Sequence, residues 1–153
     1  MTPSFEDVLS KMEALFQKFV GAPKMNFSEK SAFPEGPGLY LLSEGDLDLY
    51  VGRSSRGLKK RLKGHSVGTH FSSSFAFLLA RDETGMRATY KTEGSRAELM
   101  KNPIFRPAFD RAIERIKKMN VRFIELDNDY QQYLLELFTA LRLKTPHNHF
   151  RTS

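Results

Sequence analysis

Two short apolar runs around a turn constrain this chain more than any other feature of its sequence. Residues 38–52 read GLYLLSEGDLDLYVG, in which runs rich in Leu, Tyr and Val flank Glu44-Gly45-Asp46. Strand-forming residues on both sides of a short loop that contains Gly are typical of a β-hairpin. A three-residue loop pairs Tyr40 with Tyr50 on one face, whereas a two-residue loop pairs Tyr40 with Leu49 and separates the tyrosines. We expect the three-residue register.

Apolar periodicity and end signals predict the remaining elements. Residues 5–20 carry apolar side chains at three- and four-residue spacing behind Ser4, a good N-cap, so we expect an amphipathic helix. The segment 21–37 holds three prolines and is typical of an irregular connection, which implies that the core starts after it. The sequence further predicts helices at 58–65, at 72–81, after the capping-box pair Ser95 and Glu98, and from Pro107 to about Met119, with strands at 87–92 and 121–126.

The last predicted helix begins after Asp127 to Asp129 and ends near Lys144. Its expected buried stripe consists of Tyr130, Leu134, Leu137, Phe138 and Leu141. Glu136 interrupts this apolar run, where a carboxylate is costly unless it is exposed, paired or bound to a cation. An exposed charge beside a core stripe is the ordinary reading of such a residue, and a metal ligand is the functional one.

Together these elements predict one α/β domain, in which a small mixed β-sheet, made of the hairpin and a third strand, is flanked by helices. The chain has no cysteine, which excludes disulfides, thiolate zinc sites and a cysteine nucleophile. No apolar run approaches the roughly 18 residues of a membrane span, and the N-terminus lacks the features of a signal peptide. We therefore expect a cytoplasmic protein that does not enter the membrane.

The formal net charge of +6 suits a polyanionic partner, and its distribution is more informative than its size. The segment RSSRGLKKRLK, residues 53–63, holds six cations and no acid. These cations are Arg53, Arg56, Lys59, Lys60, Arg61 and Lys63. We expect this segment to be the surface that binds nucleic acid.

Sheet packing, a solvated helix face and an exposed acid would each explain one of these features alone. Their combination is less ordinary, because Gly-x-Tyr and Tyr-x-Gly lie on paired strands, an Arg-x-x-x-His helix follows, and a helical Glu comes late in the chain. In this combination the sequence resembles the GIY-YIG nuclease family. Gly38-Leu39-Tyr40 is similar to its first motif and Tyr50-Val51-Gly52 to its second. Leu39 stands where that family usually has Ile, and residues 66–120 form a longer middle segment than compact members have.

The resemblance implies a role for each matching residue. Arg61 would contact the phosphate, and His65, one helical turn later, would match the histidine of the family. Glu136 would bind the metal, and Asn148 would contact nucleic acid. It also implies a nuclease domain over 38–153 with a helical insertion at 66–120, while the expected N-terminal helix and linker over 1–37 lie outside the resemblance. The cofactor would be Mg²⁺ or Mn²⁺, and one carboxylate suits one metal ion.

The general base stays open between two residues. Tyrosine has a reference pKa of about 10, so little phenolate exists at pH 7, whereas histidine at about 6.5 is ready to accept a proton. These magnitudes favour His65, and the resemblance implies Tyr40, with Tyr50 and His65 orienting water or phosphate.

We therefore expect a metal-dependent endonuclease that hydrolyses DNA phosphodiester bonds by a one-metal mechanism. The main alternative is a catalytically silent nucleic-acid-binding module of the same fold. A third is an RNA-directed or protein-binding role for the basic surface. The oligomeric state does not follow from the sequence.

Overall fold

The computed structural model describes residues 2–69, 73–89 and 91–150, which form two compact units. Of these, residues 2–60 and 119–150 form one unit, and residues 61–69, 73–89 and 91–118 form the other. The first unit is mixed α/β, with a four-stranded antiparallel sheet in the order β1-β4-β2-β3. Its strands are β1 (Met25–Asn26), β2 (Gly38–Glu44), β3 (Leu47–Ser54) and β4 (Asn120–Glu125).

Helices α1 (Phe5–Ser10), α2 (Met12–Val20) and α7 (Asp129–Leu143) cover one face of this sheet. That face presents Leu39, Leu41, Val51 and Ile124. A 3₁₀ segment (Phe27–Ala32) follows β1, and the Phe33 ring after it packs edge-on against Phe123 of the opposite face. Helix α3 (Leu58–Val67) begins in this unit, where its first amides bond the carbonyl oxygens of Gly36 and Pro34.

The second unit is helical in its described part. It contains α4 (Ser74–Thr84), α5 (Arg96–Leu99) and α6 (Phe105–Lys117). Phe77 of α4 packs against Phe105 of α6, with ring centroids 4.9 Å apart, and the Arg96 guanidinium lies over the Phe77 ring. The buried Phe109, Ile113 and Ile116 confirm the apolar face expected for α6.

The N-terminal segment differs from its prediction. Ser4 caps α1 through the Asp7 amide as expected, but the predicted single helix is divided at Lys11. Met12, Phe16 and Phe19 are buried against the sheet, so the core starts within the first helices. The expected connection 21–37 also supplies β1, which pairs with β4, because two residues are enough to bond an open strand edge. Every strand pair among the described residues is antiparallel, so the expectation of a mixed sheet is wrong.

The 121–126 strand is confirmed as β4, but the predicted strand at 87–92 does not form among its described residues. Local bonds close a loop there, since the Thr89 amide donates to the Gly94 carbonyl and the Thr89 hydroxyl donates to the Glu93 carbonyl. The helix predicted from Ser72 is capped by Ser73 and runs three residues longer than expected, while Ser72 lies outside the described residues.

The hairpin register differs from the predicted one, yet both tyrosines share a face. The turn has two residues, Gly45 and Asp46, because Glu44 pairs with Leu47. A bulge then leaves Leu49 as an extra residue in β3, so the next pairs are Leu42 with Tyr50 and Tyr40 with Gly52. This extra residue moves the following residues of β3 to the opposite face from the one that a two-residue turn alone would give them. Tyr40 and Tyr50 therefore lie on the same face, with ring centroids 6.3 Å apart.

Helix α7 also buries a different face from the predicted stripe. Its buried residues are Gln132, Leu135, Thr139 and Ala140, whereas Tyr130, Leu137 and Leu141 are exposed and Leu134 and Phe138 are partly buried. The polar Gln132 is accepted in the core because its amide is bonded at both ends, to Arg53 and to the Leu126 carbonyl. None of the helices within the described ranges combines the length and apolar character that crossing a bilayer requires.

Candidate functional site

The two Gly and Tyr motifs interlock across β2 and β3. The Tyr40 ring crosses directly over Gly52, where an added Cβ atom would lie 2.3 Å from the Tyr40 hydroxyl oxygen. A Cβ atom at Gly38 would lie 2.0 Å from the Ile124 carbonyl oxygen on β4 and 2.9 Å from the Leu58 side chain. No larger residue fits at either motif glycine without a shift of its neighbours. Packing therefore explains more of the Gly-x-Tyr and Tyr-x-Gly pattern than the sequence alone indicated.

Tyr40 is fully buried at this position, while Tyr50 on the neighbouring strand is half-buried. The aromatic pair thus has one inner and one outer member. Of the two, Tyr50 is the one whose side chain reaches the surface of this unit.

Asn148 is held against the edge strand of the sheet. Its Oδ1 accepts the Val51 amide at 2.9 Å and the Thr145 hydroxyl at 2.7 Å, and its Nδ2 donates to the Val51 carbonyl at 2.7 Å. The His147 amide bonds the Leu49 carbonyl on the same strand. The Asn148 amide acts here as a substitute strand partner for the second motif, so its observed role is to position the strand.

Arg53 is also engaged inside the first unit. Its guanidinium donates to Gln132 Oε1 at 3.1 Å and stacks 3.6 Å from the centroid of the Tyr133 ring. These interactions join β3 to α7, so Arg53 is not an open cation of the predicted surface. Gln132 and Tyr133 carry no local sequence signal of this role, which arises only when strand and helix meet.

Glu136 lies half-buried in the middle of α7, which packs on the face of the sheet opposite to the one that carries Tyr40 and Tyr50. One carboxylate with waters and a substrate phosphate is a donor set that Mg²⁺ or Mn²⁺ accepts. Glu136 therefore fits the ion that the resemblance implies. Within the described ranges, no three His, Asp or Glu side chains gather into a metal-binding group.

Arg61 and His65 belong to the second unit. The Arg61 guanidinium donates to the Ser74 hydroxyl at 3.0 Å, and His65 is fully buried with its ring edge-on to Phe75. The Ser73 hydroxyl, which caps α4, donates to the His65 carbonyl. The helix turn that holds both residues is thereby tied to the start of α4.

Burial changes the acid–base character of His65. Loss of hydration, with a smaller contribution from the Arg61 charge, lowers the pKa of His65 from 6.5 to about 3. A group with so low a pKa stays neutral and is a weak base at pH 7. This lowered basicity weakens the argument from reference values in favour of His65 as the base.

The same shift predicts a pH-dependent stability. As pH falls below 6.5 the unfolded chain protonates this residue while the folded chain, with a pKa of about 3, does not. The free energy of unfolding should therefore fall by about 2 kcal/mol from this residue alone between pH 7 and pH 5. Urea denaturation of the wild type and of His65→Gln at both pH values measures it.

The variant should lose this part of the pH dependence, and His149→Gln, which changes an exposed side chain of the C-terminal tail, should keep it. An identical dependence in wild type and His65→Gln would show that the residue is not buried as a neutral ring.

The other cations of the predicted basic segment differ in exposure. Lys59 forms an ion pair with Glu35 at 3.4 Å, whereas Arg56, Lys60 and Lys63 are exposed. The candidate surface for nucleic acid therefore contains fewer of the six cations than the sequence predicted.

The division into units also separates the charge. Residues 61–118 contain twelve Lys and Arg against six Asp and Glu, whereas the rest of the chain contains twelve of each. The whole net charge of +6 is therefore carried by the second unit.

Comparison with protein-family models, curated proteins and solved structures found no match to this chain.

Proposed function

We propose that this protein is a metal-dependent endonuclease that hydrolyses DNA phosphodiester bonds, similar in the two motifs of its β-hairpin to the GIY-YIG nucleases. The observation that carries the proposal is the interlock of the two motif strands, with Tyr40 and Tyr50 on one face and a sterically required glycine in each motif. This arrangement supports the resemblance because the residues of the two motifs pack against each other across the hairpin.

Each proposed role follows from the chemistry of its side chain. The planar guanidinium of Arg61 would hold a non-bridging oxygen of the phosphate. The Tyr50 hydroxyl, at the outer side of the tyrosine pair, would orient the attacking water or the phosphate. Mg²⁺ or Mn²⁺ on Glu136, when bound, would neutralise charge that develops on the phosphate.

The assignment of the base is also part of the proposal. His65 is a weak base at its depressed pKa of about 3, so we follow the resemblance and assign Tyr40, in its phenolate form, as the proton acceptor. His65 is then a positioning residue, neutral and packed, that orients the helix turn carrying Arg61.

A catalytically silent nucleic-acid-binding module is the second candidate. The complete burial of both Tyr40 and His65 favours it, because neither candidate base reaches solvent. Incubation of supercoiled plasmid with the protein in Mg²⁺ and in EDTA separates the two functions. The nuclease should produce nicked or linear plasmid in Mg²⁺ and none in EDTA, whereas the silent module should retard the plasmid and leave it supercoiled in both.

The charge distribution leads to a prediction for binding in either case. Lys60→Ala with Lys63→Ala should weaken DNA binding and reduce the slope of log affinity against log salt by roughly 0.9 for each phosphate that the protein no longer neutralises. Lys18→Ala with Lys30→Ala removes the same charge from exposed positions outside the basic segment 53–63 and should leave the slope unchanged. Fluorescence anisotropy over a salt series measures both, and equal slopes for the two double variants would refute this docking face.

A further inference from the structure

Helix α7 presents a second apolar face, opposite to its buried one. Tyr130, Tyr133, Leu137 and Leu141 recur at three- and four-residue spacing and are 51%, 59%, 38% and 67% exposed. We call these four residues the outer stripe. It extends roughly 16 Å along the helix at 1.5 Å per residue. A helix with apolar residues on both faces is usually buried on both, and a contiguous exposed stripe marks an interaction site.

The composition of the outer stripe suits a protein partner. Tyrosine and arginine are the residues that most often dominate the energy of protein interfaces. Arg53 stacks on Tyr133 and so holds that ring in one orientation before any partner arrives. Leu137 and Leu141 add aliphatic surface, which a protein side chain fills better than a stacked base does.

Charge at the two ends of the helix indicates which partner. The exposed Asp127 and Asp129 lie at the N-terminal end, and the exposed Lys144 lies at the C-terminal end, next to Arg142, whose guanidinium is already paired with Glu13 of the same chain at 2.7 Å. Two such helices placed antiparallel bring acid opposite base at both ends, so the surface is complementary to itself. The stripe also lies on the unit whose charges balance, and two copies therefore do not repel each other there.

We propose that the outer stripe is the contact of a symmetric homodimer in which α7 packs antiparallel against α7 of a second copy. Tyr130 then faces Leu141 of the other copy, and Tyr133 faces Leu137. The contact is isologous, so one substitution changes both sides of the interface.

Sedimentation equilibrium from about 1 to 100 µM tests the dimer. The wild type should reach twice its 17.6 kDa mass, and Leu141→Glu should raise the dimer dissociation constant at least about tenfold because it places an unpaired carboxylate in the contact. Leu47→Glu makes the same change at a residue that is 59% exposed on β3 and should leave the mass unchanged. Circular dichroism on each variant verifies folding.

Two further measurements test the antiparallel arrangement. The chain has no cysteine, so single Tyr130→Cys and Leu141→Cys proteins can be mixed and oxidised. Cross-links should form between the two variants and not within either one. At low salt, Asp127→Lys or Lys144→Asp alone should weaken the dimer about threefold, and the double variant should restore it.

A wild type that stays monomeric at 100 µM would overturn the proposal, as would a dimer that Leu141→Glu and Leu47→Glu affect equally. Cross-linking of each cysteine variant with itself would overturn the antiparallel arrangement. If the protein is monomeric and Leu141→Glu weakens binding of a single-stranded oligonucleotide, the stripe belongs to nucleic acid and the dimer is refuted.

Discussion

Glu136→Gln should lower Mg²⁺-dependent cleavage of plasmid DNA by at least about 100-fold, while DNA binding persists. Gln keeps the shape of the side chain and its packing in α7 but removes the charge that would hold the ion. Loss of such a charge-stabilising group costs about 3 kcal/mol in the transition state. Removal of a negative charge does not weaken attraction to DNA. Cleavage rate and binding affinity should be measured on the same preparation.

Asp129→Asn is the matched control, because it removes a carboxylate from the first turn of the same helix. It should change the cleavage rate less than about twofold, since the charge that it removes lies about two helical turns from the proposed ligand. If both variants cleave like the wild type, Glu136 is an ordinary helix carboxylate. If both lose activity equally, the overall charge of α7 matters and a specific ligand does not.

Gly38→Ala should destabilise the protein by about 3 kcal/mol or more, or prevent folding. The new Cβ atom would lie 2.0 Å from the Ile124 carbonyl oxygen, and β2 cannot move away because it pairs with β3 on one side and β4 on the other. This is a large part of the roughly 5–15 kcal/mol that stabilises a domain of ordinary size. Chemical denaturation gives the change in free energy of unfolding.

Gly36→Ala is the control two residues earlier. Its Cβ atom would meet only the end of the flexible Glu125 side chain, at 3.3 Å, so the destabilisation should stay below about 1 kcal/mol. A similar destabilisation at both glycines would mean that backbone freedom in this segment decides the effect, and that close approach to β4 does not.

The same hairpin allows the contact between Gly52 and the Tyr40 ring to be tested separately from the close approach of Gly38 to β4. The three atoms nearest to a Cβ at Gly52 all belong to the Tyr40 ring, so the destabilisation that Gly52→Ala causes should shrink in a Tyr40→Leu background. Gly38→Ala clashes with the backbone of β4 and should cost the same in both backgrounds.

The parts of the fold that were predicted correctly depend on residues close together in the chain. The hairpin, β4, α6 and the ends of α7 follow from spacing, capping and turn residues, because neighbours within about four positions decide those features. Ser4 and Ser95 cap helices as predicted, since the amides that they cap lie three residues away. The placement of both tyrosines on one face was predicted correctly, although through a different register.

Only the tertiary structure decided the features that depend on distant partners. The Leu49 bulge has no local signal, and its edge strand is bonded by Asn148, almost a hundred positions later in the chain. Helix α7 has apolar residues on two faces. The face with Gln132 can be buried because Arg53 and the Leu126 carbonyl satisfy the Gln132 amide in the core. The low pKa of His65 likewise comes from side chains that fold around it. Burial and hydrogen-bond satisfaction are sums over such distant neighbours, and local periodicity therefore cannot determine them.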